Sequence, residues 1–219
     1  MAKDPGGAQA VARLADELNR QGNKWEYSIS DPTKSSSGHT RERYAFIWKS
    51  SKFTVSSGRP FLVRDLEQII EREPFVIQLK QRKNSKALTL VNYHACTHKK
   101  NNPERIEIVA ISNWLISKSY ENVIWAGDMN LKIDDEAFNT IKRAGYTSVL
   151  NGEKTSLKMK CKNGEYLSRA EDNMFYKLCD LEFIGGKVVD FISTGNCDDV
   201  IWKRNSYSDH LGIEIKLQL

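Results

Sequence analysis

The sequence predicts an α+β protein built on stacked β-sheets, and three observations lead to this prediction. Many short apolar stretches, bounded by turn-forming residues, have the pattern of strands. A few amphipathic stretches, at 8–20, 102–120 and 134–143, have the pattern of helices. The two kinds of element do not follow the regular βαβ order of a parallel sheet with crossover helices.

The helices are predicted from apolar residues spaced three and four apart. In the stretch 102–120, Ile108, Ile111 and Leu115 lie on one helical face. Gly22 and Gly145 supply stop signals for the first and third helices.

The strands are predicted from alternating or continuous apolar residues. The charged stretch 81–86 is predicted to join two of them as a hairpin, 31–40 is a polar loop, and 64–72 is a loop or a short helix. The predicted strands are Trp25–Ile29, Tyr44–Trp48, Lys52–Ser56, Phe75–Leu79, Ala87–Tyr93, Val123–Ala126, Asp172–Tyr176, Val188–Ile192 and Leu211–Leu217.

Length and composition favour one domain over 1–219. A chain of 219 residues with 40% hydrophobic residues can bury one sizeable core, and it contains no internal repeat or linker. Lys and Arg exceed Asp and Glu by 33 to 28, which favours a polyanionic partner without requiring one.

The cysteines and the apolar runs leave the compartment open. The four cysteines lack the CxxC spacing of a zinc site, and either four free thiols or two disulfides fit the sequence. No apolar run approaches the roughly 20 residues of a membrane span, and no signal peptide is visible. The protein is therefore expected in the cytoplasm, or outside the cell if its natural N-terminus carries a signal.

Several predicted strands begin or end in acid, amide or imidazole groups. In the stretch WAGDMN, Asp128 and Asn130 follow a strand and share a face, because alternate residues of an extended chain point the same way. Such oxygen ligands suit a divalent metal or a phosphate ester, although Gly, Asp and Asn also form plain turns. The convergence of polar strand ends predicts a site at a sheet edge or between two packed sheets.

The motifs GDMN, SDH before the last strand, and the histidine that ends VNYH resemble the endonuclease/exonuclease/phosphatase superfamily. The segments TRERYAFIW, EREPFVIQL and EDNMFY are similar to its deoxyribonuclease I branch, with matching order from about residue 38 onwards. This resemblance implies a four-layered α/β sandwich, in which two mixed sheets pack face to face between helices. It also implies a metal-dependent phosphodiester hydrolase, a deoxyribonuclease I-like endonuclease with low sequence specificity that acts on DNA.

The resemblance assigns roles that fit the chemistry. Phosphodiester hydrolysis requires an activated water, stabilised phosphoryl oxygens and a proton for the leaving oxygen. His210 is expected to be the base, oriented by Asp172, and His94 the acid, oriented by Glu42. The other expected site residues are Asp128 and Asp209 as ligands of Mg²⁺ (or Mn²⁺ or Ca²⁺), Asn130 as a partner of the phosphate, and Arg72, Arg41 and Asn173 as substrate-binding residues.

The sequence departs from the family pattern in two places. The family begins with a strand carrying an Asn and a later strand ending in Gln-Glu, whose Glu is a metal ligand. This chain opens at MAKDPGG, so we expect it to lack that N-terminal segment, to bind metal less well, and to form oligomers or exchange strands at exposed edges. Thr40 stands where the deoxyribonuclease branch has an aromatic residue.

Two other functions remain open on this sequence. One is a phosphatase or phosphodiesterase that acts on small or lipid substrates. The other is a catalytically impaired remnant that binds nucleic acid or a partner protein without turnover.

Overall fold

A computed structural model describes residues 6–35, 41–56, 58–97, 103–192 and 196–218, so Thr40 and part of the predicted loop 31–40 lie outside the described residues. The helices are α1 (Gly6–Arg20), α2 (Pro103–Ile116), α3 (Asn139–Arg143) and α4 (Cys197–Ser206), with 3₁₀ turns at Arg64–Leu66 and Glu136–Phe138. The strands are β1 (Trp25–Ile29), β2 (Ala45–Lys49), β3 (Phe53–Val55), β4 (Phe61–Leu62), β5 (Phe75–Gln81), β6 (Ala87–His94), β7 (Val123–Asp128), β8 (Thr147–Ser148), β9 (Leu157–Lys162), β10 (Glu165–Leu167), β11 (Asp172–Lys177), β12 (Glu182–Val189) and β13 (Gly212–Gln218).

A seven-stranded mixed sheet forms the centre of the molecule. Its strands run in the order β3–β5–β6–β7–β11–β8, and β4 also pairs with β5. Strands β6 and β7 are parallel, and the other pairs in the sheet are antiparallel. The parallel pair needs a crossover connection, and α2 supplies it.

Helices α2 and α3 cover one face of this sheet. Ile108 and Ile111 from α2 pack with Trp125, Phe138 and Phe175, and all five side chains are fully buried. Complete burial of an apolar side chain of this size contributes about 1.5–3 kcal/mol each. This cluster is therefore the main source of stability of the sheet.

The opposite face of the sheet carries a second β layer. The pair β1–β2 packs through Trp48 onto Ile77 and Leu79, and α1 lies against β1. The pair β12–β13 packs through Ile215 onto Ile124. The layers therefore run helix, sheet, sheet, helix, which confirms the predicted sandwich.

An apolar groove of about 390 Å³ lies between the two pairs of this second layer. Phe46 of β2 and Ile213 and Ile215 of β13 line it, and Ile124 and Met174 of the large sheet form part of its floor. Among the described residues, β2 pairs only with β1, and β13 pairs only with β12. Each therefore presents a free strand edge.

A satellite core lies beside the large sheet and joins β9, β10 and α4. Leu157, Val200 and Leu211 are buried in it, together with Ile192. A disulfide between Cys161 of β9 and Cys197 of α4 closes it. The buried Cys96 and the exposed Cys179 are not part of a disulfide. One disulfide with two thiols is neither of the two states that the sequence left open.

The structure corrects several predicted boundaries. Helix α2 ends at Ile116 rather than 120, because the Ser117 hydroxyl donates to the Trp114 carbonyl and the chain turns there. The strand predicted over 188–192 is wrong in its second half, where the Asp190 carboxylate accepts from the Ile192 amide in a turn. Elements β9, β10 and α4 were not predicted. None of the helices in the described segments has the length and apolar character needed to cross a bilayer.

The close approach of β7 to β6 at Gly127 yields a test of the fold. A Cβ at this position would lie 1.6 Å from the Tyr93 carbonyl oxygen, so Gly127→Ala must push the two strands apart. We expect a loss of about 3 kcal/mol or more in the free energy of unfolding, measured by denaturant titration. Gly7→Ala in α1 is the control, since a Cβ there meets nothing within 4 Å and should be neutral or stabilise by up to about 1 kcal/mol. Equal stability of the two variants would contradict the close contact.

Candidate active site

The strand register brings three predicted site residues into one row. On the parallel pair β6–β7, His94 lies opposite Asp128, and on the antiparallel pair β7–β11, Asp128 lies opposite Asp172. The ends of β6 and β7 and the start of β11 therefore meet at one edge of the sheet. The register of the backbone hydrogen bonds places these residues in one row, independently of the contacts between their side chains.

The residues after β7 form a tight turn that aims Asp128 and holds Asn130. Asn130 has φ of 50°, a left-handed conformation that asparagine tolerates better than most residues. Its amide N–H donates to Asp128 Oδ1 at 2.9 Å, and its side-chain Nδ2 donates to the Ala95 carbonyl at 2.9 Å. These bonds use the backbone N–H and one of the two side-chain N–H groups of Asn130, so its side-chain oxygen and the second N–H could face a ligand.

His94 is held by a carboxylate from the segment before β2. Its Nδ1 lies 2.9 Å from Glu42 Oε2, while the other oxygen of Glu42 lies 3.3 Å from Arg72 Nη1. The backbone N–H of His94 donates to the Tyr44 hydroxyl at 3.2 Å. The orientation of the ring is thereby set, and its Nε2 points away from Glu42.

His210 is held in a matching way by the first residue of β11. Its Nδ1 lies 2.7 Å from Asp172 Oδ2, and the Thr155 hydroxyl donates to the same oxygen at 2.6 Å. The hydrogen bond with Asp172 is the main cause that raises the pKa of His210 to about 9, and the charges of Asp172, Asp128 and Asp209 add to it. The pair therefore favours the imidazolium form.

Asp128 lies between the two imidazoles. Its Oδ2 is 3.6 Å from Nε2 of His94 and 3.8 Å from Nε2 of His210. Burial is the main cause that raises the pKa of Asp128, and the nearby Asp172 carboxylate raises it further. A positive charge bound at this carboxylate would relieve both effects.

The donors at this edge fit a divalent cation. Ligand atoms of Asp128, Asp172 and His210 lie within 4.8 Å of one another. Both hydrogen bonds to Asp172 fall on Oδ2, and the Asn130 N–H donates to Oδ1 of Asp128, so each carboxylate keeps one oxygen that could bind a cation. Asp209, predicted as the second metal ligand, lies outside this group: its half-exposed carboxylate is 3.5 Å from Arg204. Its metal role stays a prediction that this arrangement does not support.

The three predicted substrate-binding residues differ in placement. Arg41 is exposed and precedes Glu42 in the chain. Arg72 is buried against Glu42, so it reaches the site through that carboxylate. The Asn173 side chain accepts from the Leu150 N–H and donates to the Leu150 carbonyl. Because both of its amide groups are used there, the structure does not support a contact between Asn173 and substrate.

Sequence reasoning missed two supporting residues, Thr155 and Tyr44. Thr155 is buried, and its hydroxyl fixes Asp172 from 17 positions away along the chain. Tyr44 was predicted only as a strand residue, yet its hydroxyl holds the backbone of His94. Neither contact is signalled by spacing or residue type, because each joins segments that are distant in sequence.

Solved structures share this architecture. A mannosyl-6-phosphatase from Bacteroides thetaiotaomicron superposes with a TM-score of 0.63 at 12% identity, covering 95% of this chain and 82% of that one. TDP2 from D. rerio, complexed with a single-strand DNA product, superposes with a TM-score of 0.60 at 14% identity and 93% and 81% coverage. This chain has the endonuclease/exonuclease/phosphatase fold. A family protein of that name from Leptotrichia buccalis agrees, with a TM-score of 0.61 at 16% identity and 95% and 78% coverage. No protein-family model and no curated protein matches the sequence, so the likeness establishes the fold alone.

The pairing of His210 with Asp172 predicts a titration. With EDTA present, the His210 ring should titrate near pH 9, measured by NMR of the ring protons. Since the folded pKa is raised above the ordinary 6.5, the stability from this pair is complete below about pH 6.5 and is lost as the pH rises through about 9. Asp172→Asn should move the pKa of His210 towards 6.5. Asp209→Asn removes a carboxylate that raises this pKa less, so it should move the pKa less. Equal shifts in the two variants would show that general charge, not the pair, sets the pKa.

Proposed function

We propose that the chain is a metal-dependent phosphodiester hydrolase, and that it acts on DNA as an endonuclease with low sequence specificity. The observation that carries this proposal is the symmetry of the site. Two imidazoles, each oriented by its own carboxylate, direct Nε2 atoms at the same Asp128 carboxylate, one from the end of β6 and the other from the segment before β13. A phosphoryl group placed beside Asp128 would have one imidazole on either side.

The two histidines would divide the proton transfers. In-line displacement at phosphorus needs a base on the side of the attacking water and an acid on the side of the leaving oxygen. We assign His210 as the base and His94 as the acid. Since a pKa of about 9 keeps His210 protonated near neutral pH, the base role requires a nearby positive charge that lowers this pKa.

A cation, most simply Mg²⁺, would be held mainly by Asp128, with Asp172 nearby and Asn130 presenting its side-chain oxygen to the phosphate. When bound it supplies the positive charge that stabilises phosphoryl oxygens and opposes protonation of His210. Mn²⁺ and Ca²⁺ accept the same oxygen donors. Arg72 would act by holding Glu42, and Arg41 by contacting the phosphate backbone from its exposed position.

A phosphatase acting on small substrates is the second candidate. The likeness to the mannosyl-6-phosphatase favours this candidate, because that protein has the same fold and is named for a sugar phosphate. The two candidates separate on one comparison: an endonuclease cleaves a phosphodiester inside a polymer, whereas a phosphatase releases phosphate from a terminal monoester.

The assignment of His210 and His94 as base and acid predicts that changing either residue slows the nicking of plasmid DNA. With Mg²⁺ or Mn²⁺ we expect the chain to nick supercoiled plasmid slowly. His210→Ala or His94→Ala should each lower that rate about 10²–10⁴-fold, because general acid–base catalysis contributes factors of this size. EDTA should abolish the activity. His39→Ala, which alters a histidine without an assigned role, is the control and should nick normally. Nicking that survives both site variants would overturn the mechanism, and release of phosphate from sugar phosphates without nicking would favour the phosphatase.

We also propose that the apolar groove causes the chain to pair with a second copy. Strands β2 and β13 each leave an edge unpaired beside apolar side chains, and such edges pair readily with another strand. Every copy carries the same two edges, so a symmetric contact between copies is available.

This association should depend on concentration and on the groove. Sedimentation velocity over a concentration series should show a dimer or larger species, and Ile213→Lys should shift it to monomer because a charge cannot be buried against Ile124 and Met174. Ile106→Lys on α2, an exposed position outside the groove, is the matched control. A monomer at all concentrations, or association that Ile213→Lys leaves unchanged, would contradict the proposal.

A further inference from the structure

The β9–β10 hairpin is a concentrated basic segment beside the site. Residues 154–169 contain five basic residues and one acidic residue. The excess of basic over acidic residues is four in this segment and five in the whole chain of 219 residues. The hairpin was not predicted as an element, and no role has yet been assigned to its charges.

Three lysines of β9 form a row on one side of the strand. Lys158, Lys160 and Lys162 alternate along it and so share a face, about 6.6 Å apart. The other face is fixed by Leu157 and Cys161, which belong to the satellite core. The lysine row therefore faces away from that core and towards solvent.

Most of this charge is not neutralised within the protein. Lys158 lies 3.2 Å from Glu165, and this contact between exposed groups is weak. Lys160 and Lys162 are exposed and have no ion-pair partner among the residues that the structure describes. Two adjacent cations of the row are thus free to bind an external anion.

The base of the hairpin is attached to the candidate site. Thr155, just before β9, donates to Asp172, and the Leu157 N–H donates to the Asp209 carbonyl at 2.8 Å. The disulfide at Cys161 fixes the far end of β9 to α4. The lysine row therefore starts next to the catalytic groups and runs outwards on a fixed support.

We propose that the lysine row binds the phosphate backbone of a nucleic-acid strand that extends out of the active site. This inference rests on the proposed function and names a binding surface outside its catalytic residues. Regularly spaced lysines suit a polymer with regularly spaced phosphates, and a single small phosphate could engage only one of them. A membrane fits less well, because the exposed Met159 that could enter lipid lies on the opposite face of β9.

Binding can be measured without turnover. A fluorescein-labelled single-stranded or duplex oligonucleotide is titrated with the chain in EDTA, and anisotropy gives the dissociation constant at several KCl concentrations. The double variant Lys160→Ala, Lys162→Ala should reduce the magnitude of the slope of log affinity against log salt by about 1.4–1.8, since each lost phosphate contact removes about 0.7–0.9. Both side chains are exposed, so the variant should keep the thermal midpoint of the parent chain.

The matched control is the double variant Lys80→Ala, Lys83→Ala. It removes the same charge, but Lys80 pairs with Ala87 at the end of the β5–β6 hairpin remote from His94. Its salt slope should equal that of the parent chain. Equal slopes in the two double variants would overturn the lysine-row proposal, and so would a variant that loses binding to phosphatidylserine vesicles but keeps its affinity for the oligonucleotide.

A small substrate separates this proposal from the proposed function. Hydrolysis of bis(p-nitrophenyl) phosphate should be unchanged in the Lys160→Ala, Lys162→Ala variant, while plasmid nicking should fall at least about tenfold. If neither substrate is hydrolysed but the salt slope changes as expected, the binding surface stands and the catalytic proposal fails. If the small diester is hydrolysed and the slope does not change, the catalytic proposal stands and the lysine row has no role in binding.

Discussion

The parallel pairing of β6 with β7 determines where every group of the candidate site lies. It places His94 opposite Asp128, and the next pairing places Asp128 opposite Asp172. Gly127 allows the pairing, because any side chain there would meet the backbone of β6. The large apolar cluster under α2 and α3 keeps the strands in this register. The positions of the site residues thus depend on the backbone contact between β6 and β7. The hydrogen bonds between the polar side chains then orient their rings and carboxylates.

Electrostatics explains why two imidazoles accompany the carboxylates. Asp128 and Asp172 lie on neighbouring strands at a partly buried edge, and burial together with the Asp172 charge raises the pKa of Asp128. The hydrogen bond from His210 satisfies Asp172, and the Nε2 atoms of His94 and His210 face Asp128. Without a cation, the raised pKa of His210 keeps a proton, and so a positive charge, on that ring near neutral pH. A cation and this proton therefore compete for the same negative charge, which links metal affinity to pH.

Apolar periodicity predicted most strands of the large sheet, whereas the sandwich and both histidine–carboxylate pairs were predicted from the resemblance of the strand-end motifs to a known family. Sequence reasoning failed where structure depends on distant partners. Strand β9 alternates lysines with Leu157, Met159 and Cys161, but only Leu157 and Cys161 enter the satellite core with α4, and Met159 stays exposed. Asp209 follows the predicted motif but faces Arg204, since the direction of a side chain in a loop is not set by the motif. The single disulfide was equally inaccessible, because four cysteines allow many states.

The disulfide has a consequence for how the molecule comes apart. His94 and Asp128 belong to the large sheet, whereas His210 precedes β13 and borders the satellite core, which has few buried side chains and is closed by Cys161 and Cys197. Regions with small cores open at lower free energy than the global transition. Reduction of the bond would let the β9–α4 region open as a separate unit while the sheet remains folded. His210 would then no longer face Asp128 together with His94. The candidate site would therefore be lost under conditions in which the large sheet is still folded.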